Sequence, residues 1–139
     1  TYTDGRNCIE AMRFQCPGNG ILTGLERLFD DTTPNGNVRL GVYADASGVP
    51  GSLLLDAGSA VVSNGWVGLG NLSLNVSANA YYWLAFDQSA ENDVRYQTGG
   101  PGESHRWRAY SYGPLPATFG TAPGANSNQY VMRATYTTN

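Results

Sequence analysis

Apolar and polar residues alternate along most of this chain with the two-residue period of β-strands. Val38, Leu40 and Val42 lie on one side of such a strand, and Arg39 and Tyr43 lie on the other. Segments of this kind are separated by clusters of Gly, Pro, Asn and Asp, the residues that favour tight turns. No segment keeps the 3.6-residue period of a helix, so the pattern predicts an all-β protein.

The alternation predicts about nine strands. So many short strands in a chain of 139 residues are typical of two packed antiparallel sheets. We therefore expect a single domain over residues 1–139, folded as an antiparallel two-sheet β-sandwich of jelly-roll-like topology. The predicted strands cover residues 10–16, 21–29, 37–44, 53–62, 69–77, 80–87, 93–98, 106–112 and 129–136.

Residues 80–87 depart from this alternation, because nearly every side chain in the segment is apolar. A strand carries apolar side chains on both faces when both of its faces are covered. The segment is therefore predicted to be a central strand, with Trp83 in the core.

The segment at residues 113–128 is rich in Pro, Gly and Asn and is longer than a hairpin connection requires. Two interpretations stay open for a connection of this kind. It forms an interaction surface, or it is an unpacked loop.

Composition narrows the class of protein. Charged residues make up only 14% of the chain, against roughly 25% in an ordinary soluble domain, whereas aromatic residues reach 12%. This balance is typical of a β-rich surface or extracellular module rather than of a helical cytosolic enzyme. The net charge of −3 gives no basic field, so we expect no nucleic-acid partner. No apolar run approaches the ~20 residues that a membrane-spanning helix needs, so we expect no membrane insertion.

Cys8 and Cys16 are the two cysteines of the chain. The residues between them alternate as a strand does, with Met12 and Phe14 on one side. A straight strand would hold the two cysteines roughly 26 Å apart, whereas a disulfide requires Cα atoms within about 7 Å. The spacing predicts buried free thiols or an intermolecular bond, and it disfavours a bond within the chain.

Several segments carry a family likeness, in order along residues 11–137. The most specific are GVYAD followed by GVPG, then GW, and later YYWLA. In this pattern the chain resembles a β-sandwich module of secreted and surface-anchored prokaryotic proteins and of tailed-phage structural proteins. The resemblance implies a fold and an extracellular or virion-surface location, without catalysis and without an agreed set of binding residues.

The residues give no pattern for catalysis. Nucleophilic hydrolysis requires a serine or cysteine beside a base, but His105 is the only histidine and the chain has no G-x-S-x-G motif. A zinc site requires clustered His and Cys ligands, which one histidine and two separated cysteines do not supply. We therefore expect a protein that is not an enzyme and that needs no cofactor.

Calcium is the metal that the loops are best suited to hold, because carboxylates and carbonyls are sufficient ligands for it. Asp30 and Asp31 lie in one predicted turn, and Asp45 lies in the next. The regular spacing of a calcium loop is missing, and carboxylates in turns commonly bond to their own backbone instead. The second explanation is the simpler one, and calcium stays a hypothesis at these three residues.

Residues 104–113, SHRWRAYSYG, contain the main candidate contact residues. Planar Arg and Tyr groups stack on sugar rings, are enriched in protein interfaces, and also pair across strands within a sheet. All three roles stay open here. As a strand, the segment places Trp107 on the core side and four side chains on the other face, namely Arg106, Arg108, Tyr110 and Tyr112.

Trp66 is a separate candidate, because it directly follows a predicted turn. A tryptophan in this position either fills the space under a loop or forms an exposed platform. Only the platform would add Trp66 to the contact residues.

Two functions fit these observations. The first is a non-catalytic structural protein that decorates or assembles on a virion capsid or tail, or on a cell-surface filament. Its partners would be other protein subunits, in a homo-oligomer or a larger assembly. The second is a carbohydrate-binding module that recognises extracellular glycans, with contacts from Trp66, Arg108, Tyr110 and Tyr112.

Overall fold

The computed structural model describes residues 2–138, and all regular secondary structure in them is β-strand. Strands make up 60% of the structure, which confirms the predicted all-β class. The described residues contain no helix, and so none that is long and apolar enough to cross a membrane. The strands are β1 (Tyr2–Asp4), β2 (Cys8–Gln15), β3 (Gly20–Phe29), β4 (Asn37–Ala46), β5 (Val49–Val61), β6 (Gly65–Leu69), β7 (Leu74–Val76), β8 (Tyr81–Gln88), β9 (Asn92–Val94), β10 (Tyr96–Gln97), β11 (His105–Ala109), β12 (Gly124–Asn126), β13 (Gln129–Tyr130) and β14 (Met132–Thr138).

The structure divides the chain more finely than the alternation predicts. Fourteen strands lie within residues 2–138, against the expected nine or so. One predicted strand, residues 69–77, is interrupted where Asn71 adopts a positive φ of 56°, so that β6 and β7 are separate. Very short strands such as β1 and β12 leave too few residues for a recognisable alternation.

The first sheet is built around β3, and all of its pairs are antiparallel. One edge of β3 pairs with β14 and, at Phe29, with β9. The other edge pairs with β6 and β7. β1 extends the sheet beyond β9.

The second sheet has the strand order β12-β11-β2-β8-β4-β5, again with antiparallel neighbours. β8 lies inside this sheet between β2 and β4, which is the central position predicted for residues 80–87. Trp83 and Ala85 are buried on one of its faces, and Leu84 and Phe86 on the other. The apolar run therefore does reflect a strand covered on both sides.

The two sheets share one hydrophobic cluster. Leu25 and Phe29 of the first sheet belong to it, as do Leu40, Leu84 and Phe86 of the second. Each such side chain that is fully buried contributes about 1.5–3 kcal/mol to the free energy of unfolding. This cluster is the main core of the molecule.

A second hydrophobic cluster lies on the opposite face of the second sheet, under residues 113–123, which we call the cover segment. Leu115 and Phe119 of the cover segment are buried against Ile9, Tyr43 and Trp83. The rings of Tyr43 and Phe119 meet edge to face, with centroids 5.3 Å apart. The cover segment therefore shields from water the face of β8 that carries Trp83 and Ala85.

Hydrogen bonds also fix the cover segment to the sheet. The Tyr43 hydroxyl donates to the Pro116 carbonyl at 2.6 Å. The Phe119 N–H donates to the carbonyl of Gly51 on β5. The expectation of an unpacked loop is therefore wrong, because this segment buries apolar side chains and bonds to the sheet below it.

Both cysteine thiols are free, which confirms that no bond forms between them. Cys8 begins β2 and Cys16 directly follows its end, so the extended strand keeps them apart. Their side chains are half-buried rather than fully buried. Burial raises the pKa of the Cys8 thiol, and the nearby Glu10, Asp4 and Asp87 act in the same direction, so that it reaches about 12.

Candidate interaction surface

β11 contains the first part of the candidate contact segment, residues 104–113. His105 is buried, and its ring stacks on that of Trp107 at 4.8 Å. It also meets the ring of Tyr130 edge to face at 5.2 Å. This is the core side that the alternation predicts for His105 and Trp107.

The predicted row of arginines and tyrosines does not continue past the strand. β11 ends at Ala109, so only Arg106 and Arg108 lie on it. Tyr110 and Tyr112 belong to the chain that leads into the cover segment, and the prediction of a four-residue ladder on one strand is wrong. The Tyr110 N–H still donates to the Asn7 carbonyl, but Asn7 has a positive φ of 54°, so the regular pairing with β2 ends there.

Arg108 and Tyr110 contact the cover segment itself. Nε of Arg108 donates a hydrogen bond to the Phe119 carbonyl. The Tyr110 hydroxyl donates to the Pro114 carbonyl, and its ring packs on the second hydrophobic cluster. Both side chains therefore stabilise the position of the cover segment.

Tyr112 and Arg106 also have partners within the chain. The Tyr112 N–H donates to Oδ1 of Asn7 at 2.9 Å, and its hydroxyl lies 2.6 Å from Oγ of Ser59. Arg106 lies beside Glu103, with the Nη2 and Oε2 atoms 3.4 Å apart. All four candidate side chains are half-buried, and their role in binding a partner stays a prediction.

Trp66 lies on β6 and is 38% exposed, so it is a platform and not a plug under a loop. The Arg133 guanidinium lies 3.9 Å above the centre of its ring. Nε of Arg133 in turn donates to Oε1 of Glu26 at 2.7 Å. Trp66, Arg133 and Glu26 therefore form one group on the first sheet, in which the positive charge of Arg133 is paired with the negative charge of Glu26.

A shallow concavity of about 350 Å³ adjoins this group on the same face of the first sheet. Its floor is open because three of its lining residues are glycines without side chains. Glu26 and the threonine hydroxyls supply its polar groups. The lining residues are Thr23, Gly24, Glu26, Gly68, Leu69, Gly70 and Thr135.

The outer faces of the two sheets therefore differ. The cover segment lies over the outer face of the second sheet. On the first sheet, Ile21, Trp66 and Val131 each remain more than a third exposed. Trp66 lies opposite Leu28 in the β3–β6 register, and the Leu28 N–H donates to the Val131 carbonyl. Trp66, Leu28 and Val131 therefore form one row across the sheet.

The three carboxylates of the calcium hypothesis have separate protein partners. Asp30 pairs with Arg95, with Oδ2 2.7 Å from Nε. Asp31 accepts backbone N–H bonds from Asp93 and Thr33, which hold the pKa of its carboxyl below the usual value. In residues 2–138, no three acidic, His or Cys side chains are grouped as metal ligands would be.

Asp45 lies in a different environment from the other two carboxylates. It forms two hydrogen bonds with the Arg13 guanidinium, each 3.0 Å long, and accepts a third from Nε1 of Trp83. Burial raises the pKa of this carboxyl, but the bonds from Arg13 and Trp83 outweigh that effect and leave it below the usual value. This carboxylate anchors Trp83, and calcium here stays an untested hypothesis.

Four ionisable side chains are buried where the two sheets meet, and we call them the buried ionic cluster: Asp4, Glu10, Arg27 and His105. Nη2 of Arg27 lies 2.7 Å from Oδ2 of Asp4, and Nε2 of His105 lies 2.9 Å from Oε1 of Glu10. The Arg27 guanidinium also lies 3.8 Å from the ring centre of Phe86. The cluster links β1 and β3 of the first sheet with β2 and β11 of the second.

Burial raises the pKa of Glu10 to about 7. The hydrogen bond from His105 and the charge of Arg27 lower it, whereas the adjacent Asp4 carboxylate raises it. The sequence contains a signal for this cluster, because Glu10 lies on the same side of its strand as the apolar Met12 and Phe14. The alternation places Arg27 beside Leu25 and Phe29 in the same way, but it does not indicate which partners would neutralise the charges.

The chain matches no protein-family model, no curated protein and no solved structure. The resemblance to a surface β-sandwich module therefore stays a prediction.

Proposed function

We propose that this chain is a non-catalytic surface module, a jelly-roll-like β-sandwich that assembles on a virion or a cell-surface filament in an extracellular setting. Its partners are other protein subunits. The proposal includes no metal and no cofactor.

The uncovered outer face of the first sheet carries this proposal. The chain supplies its own cover for the second sheet but exposes Ile21, Trp66 and Val131 on the first. Apolar and aromatic side chains grouped on an exposed face are typical of protein contact sites. Exposed apolar side chains also occur on the second sheet, at Val49, Leu54, Val61 and Tyr81. On the first sheet, Trp66 and Val131 lie in one row with Leu28, and this continuous row supports a partner there.

The charge pattern of this surface also supports a protein partner rather than a nucleic acid. Arg133 is paired with Glu26, and Arg95 is paired with Asp30. Paired guanidinium groups leave no row of free positive charge to follow a phosphate backbone. The overall charge of −3 acts in the same direction.

The mass of the purified protein in solution tests the proposal, measured by light scattering on a sizing column. We expect a mass well above the 14.9 kDa of one chain. Trp66→Lys should lower that mass, because it places a charge in the row formed by Trp66, Leu28 and Val131. Val61→Lys is the matched control, since Val61 is 75% exposed on the second sheet. A monomer at every protein concentration contradicts the proposal.

Carbohydrate binding is the second candidate, and the concavity beside Trp66 is the observation that favours it. An indole ring, a carboxylate and hydroxyl groups on an open sheet face can stack on a sugar ring and hydrogen-bond to it. A glycan array distinguishes the two candidates. Loss of a specific signal in both Trp66→Ala and Glu26→Gln, but not in Tyr110→Ala, supports this site, whereas an array without specific binding contradicts it.

A further inference from the structure

Most edge strands in the described residues are protected from pairing with another chain. β1 and β12 have only three residues each. The edge of β5 is bonded to the cover segment at residues 51–53, since the Leu53 N–H donates to the Ala117 carbonyl and the Phe119 N–H donates to the Gly51 carbonyl. The register of β5 with β4 also shifts at three points, which makes this strand irregular. Short or covered edges of this kind prevent association between sheets.

β14 is an edge strand without such protection. It has seven residues and no proline, and Arg133 is its only charged residue. Within residues 2–138 it pairs with β3 alone. Its register with β3 shifts once, between Thr135 and Tyr136, where Thr23 is the extra residue on β3, so β14 itself continues without an inserted residue. A long edge strand with little charge is a template for a further strand.

The backbone groups on the free edge of β14 follow from its bonds to β3. The Val131 carbonyl accepts a hydrogen bond from the Leu28 N–H, and the Thr135 carbonyl accepts one from the Thr23 hydroxyl. The backbone groups of alternate residues point to opposite edges of a strand. The free N–H and C=O groups therefore belong to Met132, Ala134 and Tyr136.

An apolar cleft of about 260 Å³ opens between the sheets beside this edge. Phe14, Leu84 and Tyr136 are among its lining residues. Ala134 also lines the cleft and is nevertheless exposed, so the sheets do not close over it. On the opposite wall, the pairing of β2 with β11 stops at Met12. Apolar surface and free backbone groups thus occur side by side.

We propose that β14 pairs with β14 of a second copy of this chain, antiparallel and centred on Thr135, so that the two first sheets become one. The proposal deepens the proposed function by naming one of its protein contacts. In this register Ala134 lies opposite Tyr136 of the second copy, and each pair exchanges two backbone hydrogen bonds.

The strand is complementary to itself in size and in charge. The small Ala134 leaves space at the cleft, and the large Tyr136 of the second copy lies beside it. Arg133 faces Thr137 of the second copy, so the two arginines are not opposite one another. Like charges directly opposite on neighbouring strands would be destabilising, and this register has none.

Ala134→Pro tests the pairing without breaking the first sheet. Proline removes an N–H, but the Ala134 N–H points away from β3, and edge positions of this kind accept proline. Ala134→Lys is a second variant, because a charge on an edge strand also blocks pairing. Val61→Lys again provides the control for an added charge. Circular dichroism and the melting temperature report whether each variant keeps its fold.

Light scattering should give the wild-type chain a mass of at least twice 14.9 kDa. Both Ala134 variants should halve that mass, and Val61→Lys should not change it. A wild-type oligomer that is unaffected by either Ala134 variant overturns the β14 pairing but leaves the proposed function in place. A wild-type monomer overturns both.

Amide hydrogen exchange gives an independent readout of the same contact. The N–H groups of Ala134 and Tyr136 should exchange more slowly at high protein concentration than after dilution. The N–H of Leu28, which is bonded within the chain, should show no such dependence. Equal exchange of Ala134 and Tyr136 at both concentrations contradicts the pairing.

Discussion

The Nε2 atom of His105 lies 2.9 Å from Oε1 of Glu10, and both side chains are buried where the two sheets meet. Asp4 and Arg27 face the same pair from the first sheet. Each of the two pairs lies within one sheet, and Asp4 and Arg27 of the first sheet act on Glu10 of the second across the interface. Removing two charges from water costs free energy, so the protonation of this cluster affects stability.

The free energy of unfolding should fall as the pH rises from about 4.5 to about 7. Burial raises the pKa of Glu10 from its usual 4.5 to about 7, so the folded state holds a proton that the unfolded chain releases. Stability from this group is fully present below pH 4.5 and is lost as the pH rises through 7. Urea denaturation across this pH range measures the slope.

Glu10→Gln tests whether Glu10 causes this slope, because glutamine keeps the shape and a hydrogen-bonding oxygen of glutamate but does not titrate. It should reduce the dependence on pH between these limits and remove most of it above pH 6, while Asp87, whose pKa burial raises to about 6, still contributes below that pH. Glu103→Gln is the control, because Glu103 lies on the surface. An unchanged slope in Glu10→Gln would show that another group is responsible.

Arg27→Ala should lower the free energy of unfolding by about 3–5 kcal/mol, because it leaves the buried Asp4 carboxylate without its partner. The same change at an exposed ion pair should have a much smaller effect. Arg95→Ala, which breaks the pair with Asp30, should cost about 0–1 kcal/mol. Chemical denaturation of both variants at neutral pH provides the comparison, and equal losses would contradict it.

Asp87→Asn should stabilise the protein by about 1–2 kcal/mol at pH 7. Burial raises the pKa of Asp87 to about 6, although the backbone groups of Gln88 and Cys8 oppose this effect in part. Its carboxylate oxygens are buried without a hydrogen bond of ordinary geometry. The folded state therefore carries an unfavourable charge above pH 6, which asparagine removes.

Asp56→Asn is the matched control for that change. The Asp56 carboxylate accepts hydrogen bonds from Arg39 and from the N–H groups of Gly58 and Leu115. Its substitution should destabilise the protein, in the opposite direction to Asp87→Asn. Two changes of the same sign would count against this account of Asp87.

Phe119→Ala should release the cover segment and cost about 3–5 kcal/mol, the usual effect of removing a buried aromatic side chain. Loss of the ring exposes Tyr43 and Trp83, which lie beneath it. Limited proteolysis should then cut within residues 113–123 faster than in the wild type. Phe119→Leu, which keeps most of the apolar volume, should be cut more slowly than Phe119→Ala.

Much of the fold follows from patterns within single segments. The alternation around Val38 predicts β4, and the uninterrupted apolar run around Trp83 predicts a strand covered on both faces. The spacing of Cys8 and Cys16 along one strand disfavours a bond between them. Each of these predictions depends on the geometry of one extended segment, which the order of residues fixes directly.

The candidate contact residues were harder to predict. Tyr110 and Tyr112 continue the alternation of β11 in the sequence, but their backbone bonds are with Asn7, a residue far away in the chain. Trp66 is equally compatible with burial and exposure until the position of Arg133 is known. Contacts between distant segments decide both cases.

The sequence by itself determined the all-β class, the central position of β8 and the core-side direction of His105. Only the tertiary structure decided that the cover segment lies on one sheet, that Arg27 lies beside Asp4, and that β14 is left with a free edge. Alternation specifies which face of a strand is apolar, because side chains point to opposite faces in turn. It does not specify which distant strand meets that face or that edge, since those contacts depend on how the whole chain packs.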